Sequence, residues 1–314
     1  MTKLYVVVPC YNEEEALPIT VKVMSEKFDR MIETGRITDD SRMVLVDDGS
    51  RDKTWDIISN LHRENKYVLG IKLSRNRGHQ NALICGLMSV IDMADAVISI
   101  DADLQDDIEA FDKMVEKYEE GCDIVYGVRE KRDADTFFKR FTAQGYYKLL
   151  NKMGAKVVFN HADYRLLSNK ALHGLEEYKE VNIFLRGIVP LIGYKSDVVT
   201  YARSERVAGE SKYPLKKMLA LAFEGITSLS IKPIRMITWT GVTFFAISIV
   251  MLVYFFIRYL LGLTAIGWAS TIFSIWAIGG LQLLAIGIIG EYIGKIYLET
   301  KQRPRYIVEE FLKK

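Results

Sequence analysis

The sequence predicts an α/β fold, in which a mainly parallel sheet is sandwiched between helices and a membrane-associated segment follows. Three observations predict it. Short β-branched apolar runs alternate with helical stretches from the N-terminus to about residue 130. A polar, acidic motif directly follows several of those runs. Past about residue 200 the charges thin out into two long apolar runs.

Each element has a local reason. "KLYVVVP", "RMVLVDDGS", "VLGIKLS", "DAVISIDAD" and "CDIVYGVR" read as strands. They are nearly continuous in apolar residues rather than alternating, which marks strands covered on both faces. Helices are predicted between them, over 14–36, 54–64, 80–92 and 106–120. Strands separated by helices build a doubly wound parallel sheet. Ligands of such sheets bind at the carboxyl ends of the strands. "PCYNEEE", "DDGS" and "DADLQDD" should therefore converge on one edge.

This catalytic-type domain is expected to span 1–212. The next stretch, 213–233, mixes lysines with an apolar face and suits a helix lying on a membrane surface. Residues 236–257 carry no charge, Arg258 interrupts, and 259–290 are again uncharged. Two spanning helices are expected, at about 234–258 and 267–290. Lys216, Lys217, Lys232 and Arg235 precede them, and Lys295, Lys301, Arg303 and Arg305 follow. The positive-inside rule then places both termini, and the tail 295–314, in the cytoplasm of a cell with the protein in its plasma membrane.

Composition excludes several classes. Of 314 residues, 42 are Lys or Arg and 40 are Asp or Glu, so a net charge of +2 gives no drive towards nucleic acid. Cys10, Cys85 and Cys122 lie far apart, which argues against a zinc site or disulfide framework and suits a reducing compartment. "MTKLYVVVPCYNEEE" reads as a first strand, so no cleaved signal peptide is expected. GxGxxG, GxxxxGK[ST] and GxSxG are absent, which removes dinucleotide, P-loop and serine-hydrolase chemistry.

The motifs themselves are ambiguous one at a time. Asp101 and Asp103 at a strand end can hold a hard divalent cation, with Gln105 adding a neutral oxygen, or can be an acidic turn. Asp106 and Asp107 suit the first turn of the next helix. Asp47 and Asp48 are either a turn with Gly49 and Ser50 or acceptors for a nucleobase N–H. Tyr11 can stack and Glu13 can bind a ribose, yet Asn12 followed by glutamates is also an ordinary helix start.

The set is more specific than its members. V-P-x-Y-N-E, V-D-D-G-S, S-R-N-x-G at 74–78 and D-A-D-L-Q, in that order, resemble family 2 glycosyltransferases of the GT-A fold. "HADYRLLSNKAL" and "RSERVAGESKYPLKKML" resemble segments of the polyisoprenyl-phosphate glycosyltransferases, a group that includes dolichol-phosphate mannose synthases. The two-span C-terminus is similar to the bactoprenol glucosyltransferase branch. The resemblance implies a GT-A nucleotide-sugar-binding sandwich and a role for each matching position. Asp101, Asp103 and Gln105 would hold Mg²⁺ or Mn²⁺. Pro9, Tyr11, Glu13, Asp47, Asp48 and Asp101 would line the nucleotide pocket. Asp163 would stand by the reacting carbon as the usual base, with Asp103 beside it. Arg129, Arg132, Arg206, Ser211 and Lys212 would meet phosphates of donor or acceptor.

The implied partners are a nucleotide-sugar, best UDP-glucose, and a polyisoprenyl phosphate in the bacterial inner membrane. Self-association through the apolar hairpin is also expected. UDP-N-acetylglucosamine or GDP-mannose as donor, and a non-catalytic membrane scaffold, are the alternatives. A processive polysaccharide synthase is disfavoured because none of Trp55, Trp239, Trp268 and Trp276 follows an arginine, as Q-x-x-R-W requires.

Overall fold

The computed structural model describes residues 1–130, 161–181, 184–202, 232–261 and 268–313. The first part alternates β1 (Leu4–Cys10), α1 (Leu17–Glu33), β2 (Arg42–Asp47), α2 (Thr54–Glu64), β3 (Val68–Leu73), α3 (His79–Ser89), β4 (Ala96–Ser99), α4 (Ala110–Glu119) and β5 (Ile124–Arg129). The sequence places all of these within a few residues. There follow β6 (His161–Ser168), α5 (Asn169–Glu176), the short α6 (Leu185–Ile188) and β7 (Ser196–Tyr201). Two long helices, α7 (Lys232–Leu260) and α8 (Trp268–Lys301), precede a last strand, β8 (Val308–Leu312).

The described strands form one sheet in the order β7-β5-β6-β4-β1-β2-β3-β8. Pairs β1–β2, β1–β4, β2–β3 and β5–β7 are parallel. Strand β6 enters antiparallel between β4 and β5, and β8 closes the far edge antiparallel to β3. Strands β6, β7 and β8 escape a reading built on β-then-helix alternation.

Both faces of the sheet are covered, which explains the continuous apolar strands. Alternate residues of β1 point to opposite sides. Leu4, Val6 and Val8 pack with Leu17, Met24 and Phe28 of α1 and Phe111 of α4. Tyr5 and Val7 pack with Leu83 and Leu87 of α3 and Leu172 of α5. Helix α3 lies so close that a Cβ on Gly86 would sit 2.3 Å from Val7 Cγ1.

Both expected spans are helical. Among the described residues one stretch, Ile278–Lys301, is long and apolar enough to cross a membrane by length and composition. It begins and ends later than the expected 267–290 and runs past Glu291 and Lys295. Large apolar side chains stand exposed on both helices, Trp239 at 71% and Leu283 at 73% among them. A protein surrounded by water rarely shows so much contiguous apolar surface. The surface helix expected at 213–233 lies outside the described residues.

Candidate active site

The loops after β1 and β2 are fastened to each other. The chain turns at Asn12 through a left-handed backbone (φ 55). Ser50 Oγ accepts from the Asn12 N–H at 3.0 Å, and Asn12 Oδ1 accepts from the Arg51 N–H at 2.9 Å. Thr54 Oγ1 accepts from the Glu13 N–H at 2.9 Å. Asn12 is thus a loop clasp and not a helix cap, since α1 starts only at Leu17. Tyr11 stands at the rim, 41% exposed. Pro9 is buried inside β1. Val7 O accepts from the Ile100 N–H and Cys10 O from the Asp48 N–H, so alternation turns residue 9 towards the β4 side. Strand β4 ends at Ser99, opposite Val7, so no ladder partner there needs the N–H that proline lacks.

The carboxylates of this half hold backbone. Asp47 Oδ1 accepts from the Ser50 N–H at 3.1 Å. Asp48 accepts from the Arg77 N–H at 2.7 Å and the Gly78 N–H at 2.9 Å, one on each oxygen. Gly49 (φ +66) lies against the same 75–78 loop, where a Cβ would come within 2.5 Å of Asn76 N. Burial raises the pKa of both aspartates, and these backbone donors pull the other way. Each oxygen of Asp48 holds one backbone N–H of a neighbouring loop, which leaves acceptor capacity on both.

A second group of carboxylates meets charged side chains. The Ser99 hydroxyl donates to Asp163 O at 2.5 Å, tying the end of β4 to the start of β6. This brings the β4 loop near Asp163. His79, first residue of α3, places Nε2 3.5 Å from Asp101 Oδ1 and 3.7 Å from Asp163 Oδ2. Asp163 also accepts from Arg165 Nη2, and from Arg186 Nη2 at 3.1 Å and Nε at 3.4 Å. Burial alone would raise the Asp163 pKa, but Arg186, Arg165 and His79 outweigh it and hold the carboxyl well below the usual carboxylate range.

The turn "DADLQ" is backbone-strained at Leu104 (φ 52), a conformation that costs an L-residue about 1 kcal/mol. Asp103 Oδ1 accepts from the Gln105 N–H at 3.2 Å, which folds the turn on itself. Asp106 departs from its sequence reading. It does not open α4, which starts at Ala110, but is buried beneath β5 and β7. Arg129 donates to its Oδ1 at 3.0 and 3.2 Å, and the Tyr201 hydroxyl at 2.5 Å. Arg129, expected to meet a phosphate, is therefore engaged by Asp106, with 27% of its side chain exposed. Asp107 stays in the pre-helix turn and accepts from the Glu109 N–H at 2.9 Å. Arg132, Arg206, Ser211 and Lys212 lie outside the described residues.

A hard divalent cation fits the chemistry of the β4 loop. Desolvation is the main cause that raises the Asp101 pKa; His79 pulls it down, and Asp163, Asp106 and Asp103 add smaller upward pushes. Asp106 Oδ2 is buried with no hydrogen-bond partner. Among the described residues, however, no three Asp, Glu, His or Cys side chains gather into a metal-holding group. Substrate oxygens would have to complete the coordination, as is common for Mg²⁺.

Residues 5–175 match the model of glycosyl transferase family 2. The chain belongs to that family. It is 55% identical to the uncharacterized glycosyltransferase YkoT of Bacillus subtilis (strain 168), over 98% of this chain and 91% of that protein. It is 41% identical to the bactoprenol glucosyl transferase of Shigella phage SfX, over 98% and 99%. It is 38% identical to the prophage bactoprenol glucosyl transferase homolog of Escherichia coli (strain K12), over 99% and 100%. Among solved structures it resembles glucosyl-3-phosphoglycerate synthase from Mycobacterium tuberculosis with a TM-score of 0.45 at 17% identity, over 73% of this chain and 79% of that one. This family 2 chain is a glycosyltransferase. His79 and Arg186 are the site residues that motif reading passed over. The quoted S-R-N-x-G motif stops one residue short of His79. Arg186 carried one signal, a lone charge inside the apolar run "IFLRGIV".

Proposed function

We propose that this glycosyltransferase moves glucose from UDP-glucose to undecaprenyl phosphate at the cytoplasmic face of the plasma membrane, with Mg²⁺ or Mn²⁺ as cofactor. The observation that carries the reading is the meeting of Asp101 and Asp163 across His79 at the carboxyl edge of the sheet. The fold puts ligand chemistry at that edge. The relatives named bactoprenol glucosyl transferase, matched along nearly their whole length, support the lipid acceptor and the sugar.

An oxygen of the acceptor phosphate attacks the anomeric carbon. The bond from that carbon to the donor diphosphate breaks, its electron pair leaves with the nucleoside diphosphate, and the configuration inverts. A phosphate monoester has a second pKa of about 6, so the acceptor is already largely a dianion at neutral pH. No strong base is needed, in keeping with the low pKa of Asp163. That residue orients its neighbours. Asp101, Asp103 and Gln105 would hold the divalent ion, which when bound neutralises diphosphate charge. Tyr11, Glu13 and the loops fastened at Asn12 offer the nucleoside surface.

The membrane topology has a parity argument behind it. The chain leaves the sheet at Tyr201 and rejoins it at Val308. If α8 crosses a bilayer, a second crossing must bring the chain back. Helix α7, about 43 Å long at 1.5 Å per residue, is long enough to supply it. This parity supports two spans with the sheet and the tail on the same face of the membrane, and the flanking lysines and arginines favour the cytoplasmic face.

The test is a transfer assay with undecaprenyl phosphate and a panel of radiolabelled nucleotide-sugars, with Mg²⁺, Mn²⁺ or a chelator. Labelled lipid from UDP-glucose, lost in chelator, is expected. Product from another nucleotide-sugar alone would correct the donor. Absence of product with every sugar would sink the reading in favour of a scaffold.

A further inference from the structure

We propose that Gln80 is a positioning residue: it holds α6 in place, and with it the contact between Arg186 and Asp163 that transfer uses. The proposal rests on the transfer reading above.

Helix α6 is one short turn, and the first N–H groups of a helix find no partner inside it. Phe184 O takes the N–H groups of Gly187 and Ile188, at 2.9 and 3.0 Å. The Leu185 N–H is served from outside. Gln80 Oε1 of α3 accepts it at 2.9 Å, across 105 residues of chain. A backbone N–H only donates, so it fixes which end of the Gln80 amide faces it. On the other side, Arg165 Nη1 of β6 donates to Leu185 O at 3.4 Å. Side chains of two other elements thus hold both polar groups of the Leu185 backbone. Leu185 is buried, so bulk water does not replace a lost partner.

What Gln80 holds lies next to the chemistry. Arg186, the residue after Leu185, donates to Asp163 through Nη2 at 3.1 Å and Nε at 3.4 Å. The residue before Gln80 is His79, whose Nε2 lies 3.7 Å from Asp163 Oδ2 and 3.5 Å from Asp101 Oδ1. Successive residues of a helix point about 100° apart, so His79 faces the carboxylates while Gln80 faces α6. The same end of α3 is anchored behind by Asp48, which accepts from the Arg77 and Gly78 N–H groups, and by Asn81 Nδ2, which donates to Arg77 O at 2.8 Å. A line of hydrogen bonds therefore runs from the loop after β2, through the start of α3, to the turn that carries Arg186. Gln80 is the link that leaves α3. Without its oxygen, Leu185 and Ile188 keep their apolar packing, but α6 loses its fixed place against α3 and the guanidinium loses its fixed approach to Asp163. At a preorganised site a displacement of about 1 Å is enough to slow the reaction.

The experiment uses the full chain in detergent or nanodiscs with UDP-glucose and undecaprenyl phosphate. The donor KM, and kcat/KM for the lipid at saturating donor, are measured in wild type, Gln80→Met, Arg186→Gln and the double variant, with thermal midpoints as a check on folding. Methionine matches glutamine in length and lacks its strong acceptor. Gln80→Met should lower the lipid kcat/KM by about tenfold and leave the donor KM within about twofold, a misplacement and not a lost donor contact. Arg186→Gln should lower the lipid kcat/KM at least as far. Adding Gln80→Met to it should cost less than about twofold more, because both act on one contact. Gln80→Asn keeps the amide but withdraws it by one methylene; it should behave like Gln80→Met and replaces it if that variant does not fold. An unchanged lipid kcat/KM in a folded Gln80 or Arg186 variant overturns the proposal. So do losses that multiply in the double variant, the outcome of a structural role alone. Failure of the wild type to make any product overturns the transfer reading itself, and the two failures are distinguishable.

Discussion

The two halves of the sheet use carboxylates in opposite ways. On the β1–β2–β3 side, Asp47 and Asp48 accept backbone N–H groups and hold loops in shape. On the β4–β6–β5 side, Asp163 and Asp106 accept from side-chain cations and a phenol. A carboxylate spent on backbone builds a surface for something else to lie on. One that faces arginine and histidine forms a charged network that a phosphorylated substrate can enter. Residue type is the same in both halves; the partner differs.

The comparison breaks most sharply at Asp163. Asp163→Ala leaves enclosed Arg165 and partly exposed Arg186 without their counter-ion. Removing one partner of a buried pair costs about 3–5 kcal/mol, so denaturant unfolding should show a loss of that order together with near-complete loss of transfer. If stability holds, the network is not what fastens β6 to α6. Gly49→Ala attacks the other half. It combines a left-handed backbone with a Cβ at 2.5 Å from Asn76 N, and should cost about 2 kcal/mol and weaken donor binding before it affects the lipid KM. Equal effects on the two KM values would erase the distinction between the halves. Asp48→Asn is milder: it keeps one acceptor oxygen but turns an amide NH₂ on a backbone donor, at about 1–2 kcal/mol, read as a shift in thermal midpoint.

The smallest effect is the most discriminating, because acid should act on the halves with opposite sign. Asp163 has a folded pKa held below its unfolded value, so its stabilisation is present above the unfolded value and fades as pH falls through the folded one. Asp47 and Asp48 have raised folded values, so their contribution is full below the unfolded value and is lost as pH rises through the folded one. Carboxyl-carbon NMR should find Asp48 already titrating where an ordinary aspartate, of pKa about 3.9, is still mostly ionised. Asp163 should remain ionised where that ordinary group is half protonated. A common midpoint would refute the contrast.

Much of the β1–β2–β3 half was legible beforehand. Strands β1 to β5 announce themselves as apolar runs, and their acidic ends mark the edge. What stayed hidden was direction of use. Asp106 looked like a helix opener because carboxylates favour helix N-termini; burial beside Arg129 and Tyr201 overrode that preference. Arg186 belongs to no quoted motif, and its partner lies 23 residues away in the chain. Strand β8 joins the sheet beside β3 after both long helices, a pairing that no local pattern encodes.

The sequence by itself determined the family, the alternating strands and helices, the acidic strand ends and the apolar helices after residue 230, because periodicity, charge and spacing are local properties. Only the tertiary structure decided which carboxylates hold backbone and which hold cations, that His79 bridges Asp101 and Asp163, and that the chain returns to its own sheet. Each of those depends on side chains that meet across long separations in the chain, where packing and burial choose the partner.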